Sequence, residues 1–390
     1  MVRTHPRVSM EFWMDIKRNK EIELNDRDLS AYQMNELAFY TLAGAPETPR
    51  DLIEEIEQGE ALGLGSVFIS ERFNIKEAAT LSGAVGAVSS KLGIATAATN
   101  HNTRHPMVSA AFAMTMHKLT EGRFSLGLGR GVGPMFDAYG LERITTAQIE
   151  DFVGLLRRIW AGEVVVQHDG PCGKFPYLSM GGEYKEHIPM TFTAFGPNSL
   201  ALGGRAFDAV VLHTFFTEET TRRCVAQVKE AAERAGRNPE DVKVWSCFAV
   251  VGDHLPEEIR LKKLVGRMAT YLQAYGDLMV KTNDWDPMVL KRFREDDFVR
   301  NFRGAIDNLA TTEQLEYVGS LIPEDWLSSA ATGSSDSCVG SIKEQFGMGC
   351  DGVILHGASP EQLAPIVGAY RDQRAEGEFT HMTNNPGGVV

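Results

Sequence analysis

Short apolar runs alternate with longer stretches of helical period along most of the chain, which is the pattern of repeated βα units around a parallel sheet. Eight runs read as strands: 36–43, 65–70, 92–99, 123–129, 188–195, 207–213, 242–251 and 350–356. Most are continuous rather than alternating, as in Val67-Phe68-Ile69 and Val353-Ile354-Leu355, and so suit strands covered on both faces. The helical stretches carry start signals. Thr48 followed by Pro49 and Asp51, Thr145 with Gln148, and Ser359-Pro360 with Gln362 each place a cap residue three positions before a carboxylate or amide. A fourth helix runs from about Glu218 to Gly236.

Eight strands, each followed by a helix, predict an α/β fold of the (β/α)8 TIM barrel type, ahead of an open doubly wound sheet. Two connections exceed a simple crossover. One holds a helix and then a Gly/Pro-containing excursion at 163–180. The other separates strands seven and eight, is mostly helical, and is read as an insertion at about 254–333 lying over the C-terminal mouth of the barrel. The barrel domain is expected over 32–375, with an N-terminal extension at 1–31 and a tail at 376–390 that carry no site.

Composition narrows the function. A net charge of −13 disfavours a general nucleic-acid or anionic-membrane binder, because phosphate affinity needs clustered positive charge. Five dispersed cysteines without a Cys-x-x-Cys pair signal neither a disulfide framework nor a zinc site, so no metal is expected. The first thirty residues lack the apolar core of a signal peptide and no run reaches a membrane span, which predicts a soluble, cytoplasmic protein.

Several strand ends carry candidate chemistry. After strand three come Thr99, Asn100, His101, Asn102, Thr103, Arg104 and His105. The four-residue spacing of His101 and His105 invites a metal reading, which Pro106 and the absence of an intervening carboxylate oppose. Strand four ends in closely spaced glycines around Arg130, which let a flat ring approach the backbone and are not a dinucleotide fingerprint. Strand five runs into Gly196-Pro197-Asn198-Ser199 and a helix, an anion site for a phosphate or an ordinary cap by Asn198. Glu71 and Arg72 end strand two as an acid/base pair or a salt bridge. His213 and His356 end two matching strands, as catalytic groups or as residues bonded to backbone.

Together these segments resemble the luciferase-like superfamily of flavin and deazaflavin enzymes, in particular its coenzyme F420-dependent oxidoreductases. The carriers are residues 62–72 (LGLGSVFISER), 99–106 (TNHNTRHP), 119–129 (LTEGRFSLGLG), 156–163 (LRRIWAGE), 195–200 (FGPNSL) and 232–239 (AERAGRNP). The resemblance implies a non-proline cis peptide between Ala97 and Ala98 behind the deazaflavin ring and a polar ring contact from Asn100. It also implies ring contacts at Leu128 and Gly129, and contacts to the ribityl-phosphate region from Ala194, Gly196, Asn198 and Ser199. Arg104 or Arg130 offsets the anionic tail of the cofactor. The histidine that sugar-phosphate dehydrogenases of the group carry after strand two is Arg72 here. Arginine cannot accept a proton, so the acid/base falls to Glu71, His101, His213 or His356. The implied activity is F420-dependent hydride transfer to or from a small organic substrate in a homodimer. The alternatives are an FMN-dependent monooxygenase of the same superfamily and a non-catalytic flavin-binding protein.

Overall fold

The computed structural model describes residues 33–44, 46–375 and 377–388. The expected N-terminal extension lies outside the described residues. The strands are β1 (Met34–Tyr40), β2 (Leu64–Ile69), β3 (Gly93–Thr96), β4 (Phe124–Leu128), β5 (Val165–Gly170), β6 (Gly173–Leu178), β7 (Met190–Thr193), β8 (Ala209–Val211), β9 (Lys243–Gly252), β10 (Ala331–Gly333) and β11 (Gly352–His356). Eight of them pair in the order β1-β2-β3-β4-β7-β8-β9-β11, and β11 returns to β1, so the sheet closes. Each of the eight is one of the runs expected from the sequence. Closure settles the choice between a barrel and an open sheet in favour of the barrel.

Eight helices cover the outside: α1 (Asp51–Ala61), α2 (Ala78–Val88), α3 (Pro106–Leu119), α4 (Thr146–Trp160), α5 (Pro197–Ala206), α6 (Glu218–Arg234), α7 (Ser335–Gly347) and α8 (Pro360–Gln373). Reciprocal capping boxes form at Thr145/Gln148 and Ser359/Gln362. The Thr48 signal works differently: its hydroxyl accepts from Arg50 N at 3.2 Å, and α1 starts only at Asp51.

The barrel interior alternates small and large side chains, with Ala38, Ala95, Ala97 and Ala209 against Phe68, Trp245 and Ile354. The Trp245 indole needs Gly352 beneath it, where a Cβ would come within 2.5 Å of the ring. Residues 377–388, expected as a tail without a site, close the N-terminal end of the barrel. Trp245 Nε1 donates to Pro386 O at 2.8 Å, and Asn385 Nδ2 donates to Gly122 O at 2.6 Å and Phe124 O at 3.0 Å. Asn385→Ala is expected to destabilise the protein by about 2 kcal/mol, because it strands two carbonyls where β4 begins. Urea unfolding measures this, and an unchanged midpoint would make the closure incidental.

The 163–180 excursion is an antiparallel hairpin, β5 with β6. Asp151 of α4 holds it, its Oδ2 lying 3.0 Å from His168 Nε2 and accepting from Cys172 N at 3.0 Å. The chain between β9 and β10 is helical: Glu257–Leu261, a π-helical turn Lys262–Gly266, Arg267–Asn283, Pro287–Glu295, and then further helical pieces to Leu327. It has its own apolar core around Met268, Leu272, Leu290, Phe293 and Leu315, which reaches Phe215 and Ala249 at the barrel mouth. Among the described residues no helix is long and apolar enough to cross a membrane.

Candidate active site

Parallel strands aim their C-terminal ends at one mouth, so side chains from distant stretches of sequence meet there. His213 follows β8. Its Nδ1 lies 2.9 Å from Thr214 O, and since a carbonyl only accepts, Nδ1 carries the proton. Nε2 is therefore the acceptor, and it takes the Tyr275 hydroxyl at 3.0 Å. Burial lowers the His213 pKa to about 4, so the ring is neutral near pH 7. Burial also raises the Tyr275 pKa well above its ordinary value, which keeps that hydroxyl protonated. Phe195, at 4.3 Å between ring centroids, and Tyr271, at 5.0 Å, wall the imidazole. His213 and Tyr275 form a neutral, hydrogen-bonded pair at the mouth.

His356 ends β11 beside Tyr40 of β1, their rings 5.5 Å apart and edge to face. Its pKa is driven well below the ordinary range, first by burial and then by the charges of Arg267, His213, Lys263 and Lys76. Cys247 of β9 completes this floor, with Sγ 3.2 Å from Thr214 Oγ1.

Glu71 and His101, the other two acid/base candidates, are placed differently. Glu71 Oε2 accepts from Thr99 Oγ1 at 2.6 Å and from Arg104 Nη1 at 3.2 Å, while Oε1 accepts from Arg104 Nη2 at 2.6 Å and from Ala78 N at 3.2 Å. Arg104 also bonds Glu77. This carboxylate is saturated and acts as the anchor of the loop after β3. Two carboxylates neutralise Arg104 within the protein, which removes it from the expected role of offsetting an anionic cofactor tail. His101 does not join the other histidines. It is 7% exposed and packs against Phe152 of α4 at 5.5 Å, outside the barrel wall. Its Nδ1 is buried without a partner among the described residues, and burial lowers its pKa to about 4.

The cofactor positions expected from the sequence gather at β3, β4 and β7. The Ala97–Ala98 peptide is cis. Gly129 lies directly against this turn, since a Cβ there would come 2.9 Å from Ala98 Cβ and 2.5 Å from Thr193 Oγ1. Leu128 and Ala194 are buried beside it. Asn100 Oδ1 accepts from Thr103 N and Thr103 Oγ1, and its Nδ2 gives one long bond of 3.4 Å to Glu71, which leaves one N–H uncommitted. Arg130 donates to Thr146, has a buried Nε without a partner, and meets no carboxylate among the described residues. At the start of α5 the cap position is Gly196, with no side-chain cap. Ordinary capping by Asn198 does not occur. The Asn198 and Ser199 side chains make no hydrogen bond to other described residues, at a helix terminus that favours negative charge.

Lys76, Lys263, Arg267, Tyr271 and Tyr275 were not singled out from the sequence. A signal existed: the last four are spaced by four residues, i, i+4, i+8 and i+12. An α-helix would rotate such a stripe away from one face, and the π-helical turn at Lys262–Gly266 offsets part of that drift. An open groove of about 760 Å³ between Arg267–Asn283 and Pro287–Glu295 is lined by other residues, such as Asp277, Trp285 and Arg294, and is separate from the mouth.

Over residues 32–352 the chain matches the family model described as luciferase-like monooxygenase. It is 23% identical over 318 residues to the 5,10-methylenetetrahydromethanopterin reductase of Methanolobus tindarius, covering 79% of this chain and 91% of the relative. It is 30% identical over 243 residues to the F420-dependent glucose-6-phosphate dehydrogenase of Mycolicibacterium fortuitum, covering 57% and 71%. The solved coenzyme F420-dependent tetrahydromethanopterin reductase of Methanopyrus kandleri superposes with a TM-score of 0.70 at 17% identity, over 86% of this chain and 99% of that one, a likeness of fold. On the strength of the family match, the chain belongs to the luciferase-like monooxygenase family.

Proposed function

We propose that the protein is a coenzyme F420-dependent oxidoreductase that moves a hydride between the deazaflavin and a small organic substrate at the barrel mouth. The observation that carries this reading is the uncommitted start of α5. Asn198, Ser199 and the helix terminus offer donors to a phosphate, one strand away from the His213–Tyr275 pair, since β7 and β8 are neighbours. The relatives named above as F420-dependent support the choice of cofactor. The residues fit the group: Asn100 keeps one N–H uncommitted, and Arg130 brings a positive charge without a carboxylate partner among the described residues.

When bound, the deazaflavin supplies the hydride chemistry. The chain supplies position, dryness and a proton. A substrate carbonyl that gains a hydride needs a proton on its oxygen. The Tyr275 hydroxyl, oriented by His213 Nε2, turns its one proton to that oxygen and is left as a phenolate, which regains a proton from solvent once product leaves. In the reverse direction the alcohol proton passes to the Tyr275 oxygen while that hydroxyl's own proton moves to His213 Nε2, which releases it to solvent. Asn198→Ala and Ser199→Ala together are expected to raise the Kd for F420 at least tenfold, read by quenching of F420 fluorescence, with urea stability unchanged. Unchanged affinity would remove the phosphate assignment, and tight FMN binding with none for F420 would overturn the cofactor.

A further inference from the structure

We propose that the rim between β11 and β1 is an anion subsite, in which Lys76 and Lys263, beside the Asp307-paired Arg267, receive a carboxylate or phosphate group carried by the substrate. This rests on the reading of the mouth as the substrate site and adds the substrate class. Lys76 is 2% exposed, and its Nζ donates to Leu42 O at 2.8 Å, just past β1. Lys263 Nζ donates to Gly357 O, just past β11. The two strands are paired, with Phe39 opposite Leu355, so both ammonium groups stand on one stretch of rim above Tyr40 and His356. Arg267 lies one helical turn beyond Lys263, its guanidinium 5.8 Å from the Tyr271 ring centroid and 3.0 Å from Asp307.

Neither lysine has a carboxylate within ion-pair distance among the described residues. Each ammonium carries three N–H groups and gives one of them to a carbonyl, so two remain on each. Buried cations without counterions are costly, and a chain with a net charge of −13 has carboxylates to spare elsewhere. Both lysines are lowered to about 8, first by burial and then by neighbouring arginines, Arg72 for Lys76 and Arg267 for Lys263. Glu55 is the acid near both; its Oε2 is occupied by Thr41 Oγ1 and Leu42 N. The arrangement is a charge-deficient cradle, which a ligand anion completes.

An anion there belongs to the substrate rather than to the cofactor because of the ring order. The cofactor phosphate is placed after β7. From β7 the rim between β11 and β1 lies across the barrel, with β8 and β9 intervening on one side and β4, β3 and β2 on the other. The two anion sites face each other across the mouth, and the reacting atoms lie between them.

Inorganic phosphate is the probe. Full-length protein loaded with F420 is titrated with phosphate against chloride at constant ionic strength, with thermal stability and F420 fluorescence read together. Phosphate is expected to raise the Tm without displacing F420. Lys263→Gln, and Lys76→Gln with Lys263→Gln, are expected to weaken phosphate at least tenfold while F420 affinity stays within about twofold. Lys263→Arg restores binding and controls for folding, since it keeps the charge. Equal phosphate stabilisation of wild type and variants, or none in either, would overturn the subsite. Phosphate that displaces F420, with variants that lose F420, would assign the anion to the cofactor and overturn it as well. If FMN proves to be the cofactor, the same titration on FMN-loaded protein still decides the subsite.

Discussion

Replacing Tyr275 with phenylalanine is expected to lower kcat by about 10²-fold, and His213→Asn by about 10² to 10³-fold, with F420 affinity retained in both. Tyr275 holds the proton and His213 Nε2 holds Tyr275, so the first variant removes the donor and the second releases it. Single-turnover reduction of a ketone, followed by F420 absorbance, isolates this step from product release. The pH profile is a second readout. A ring held near 4 is already neutral at pH 6, so no ionisation of His213 should appear in kcat/KM between pH 6 and 8. Undiminished turnover in Tyr275→Phe would sink the donor assignment. A loss confined to KM would make the pair a binding element.

Lowering the pH from 7 to 4.5 is expected to cost the folded state several kcal/mol through its buried histidines. His101 and His213 are both held at about 4, and an unfolded chain protonates near 6.5. Above pH 6.5 both states are neutral and the histidine contribution is fully present. Between 6.5 and 4 the unfolded state binds protons that the folded state refuses, so stability falls as pH falls, by on the order of 2 kcal/mol per ring at pH 4.5. His356, lowered further, adds to the same loss. His101→Leu is the clean test, because His101 lies outside the mouth with an unpartnered Nδ1. It should move the acid-unfolding midpoint to lower pH while turnover at pH 7 stays within a few fold. An unshifted midpoint would show that His101 is not held neutral by burial, and lost turnover would return it to the acid/base candidates.

The two outcomes for the histidines show where sequence reading works. His213 and His356 sit at the ends of strands whose apolar runs are written plainly, and a strand end in a barrel has one destination. His101 sits in an irregular loop after β3, where no period states which way a side chain turns, and it turns outward to Phe152. Glu71 read as an acid/base pair or a salt bridge with its neighbour Arg72, because its actual partner, Arg104, is 33 residues away in the chain. The hairpin at 165–178 was written in two apolar-containing runs flanking a Gly-Pro-Cys-Gly turn, and it lay hidden inside a connection judged only by its length.

By itself the sequence determined the eight strands, the helices between them and the capping boxes at Thr145 and Ser359, because each depends on residues within a few positions of one another. Only the tertiary structure decided that Tyr275 meets His213, 62 residues away, and that Lys76 and Lys263 share one rim. Those contacts depend on how the helices after β9 fold back over the mouth. Burial then sets the charge of each group there, and burial is a property of the closed barrel rather than of any stretch of chain.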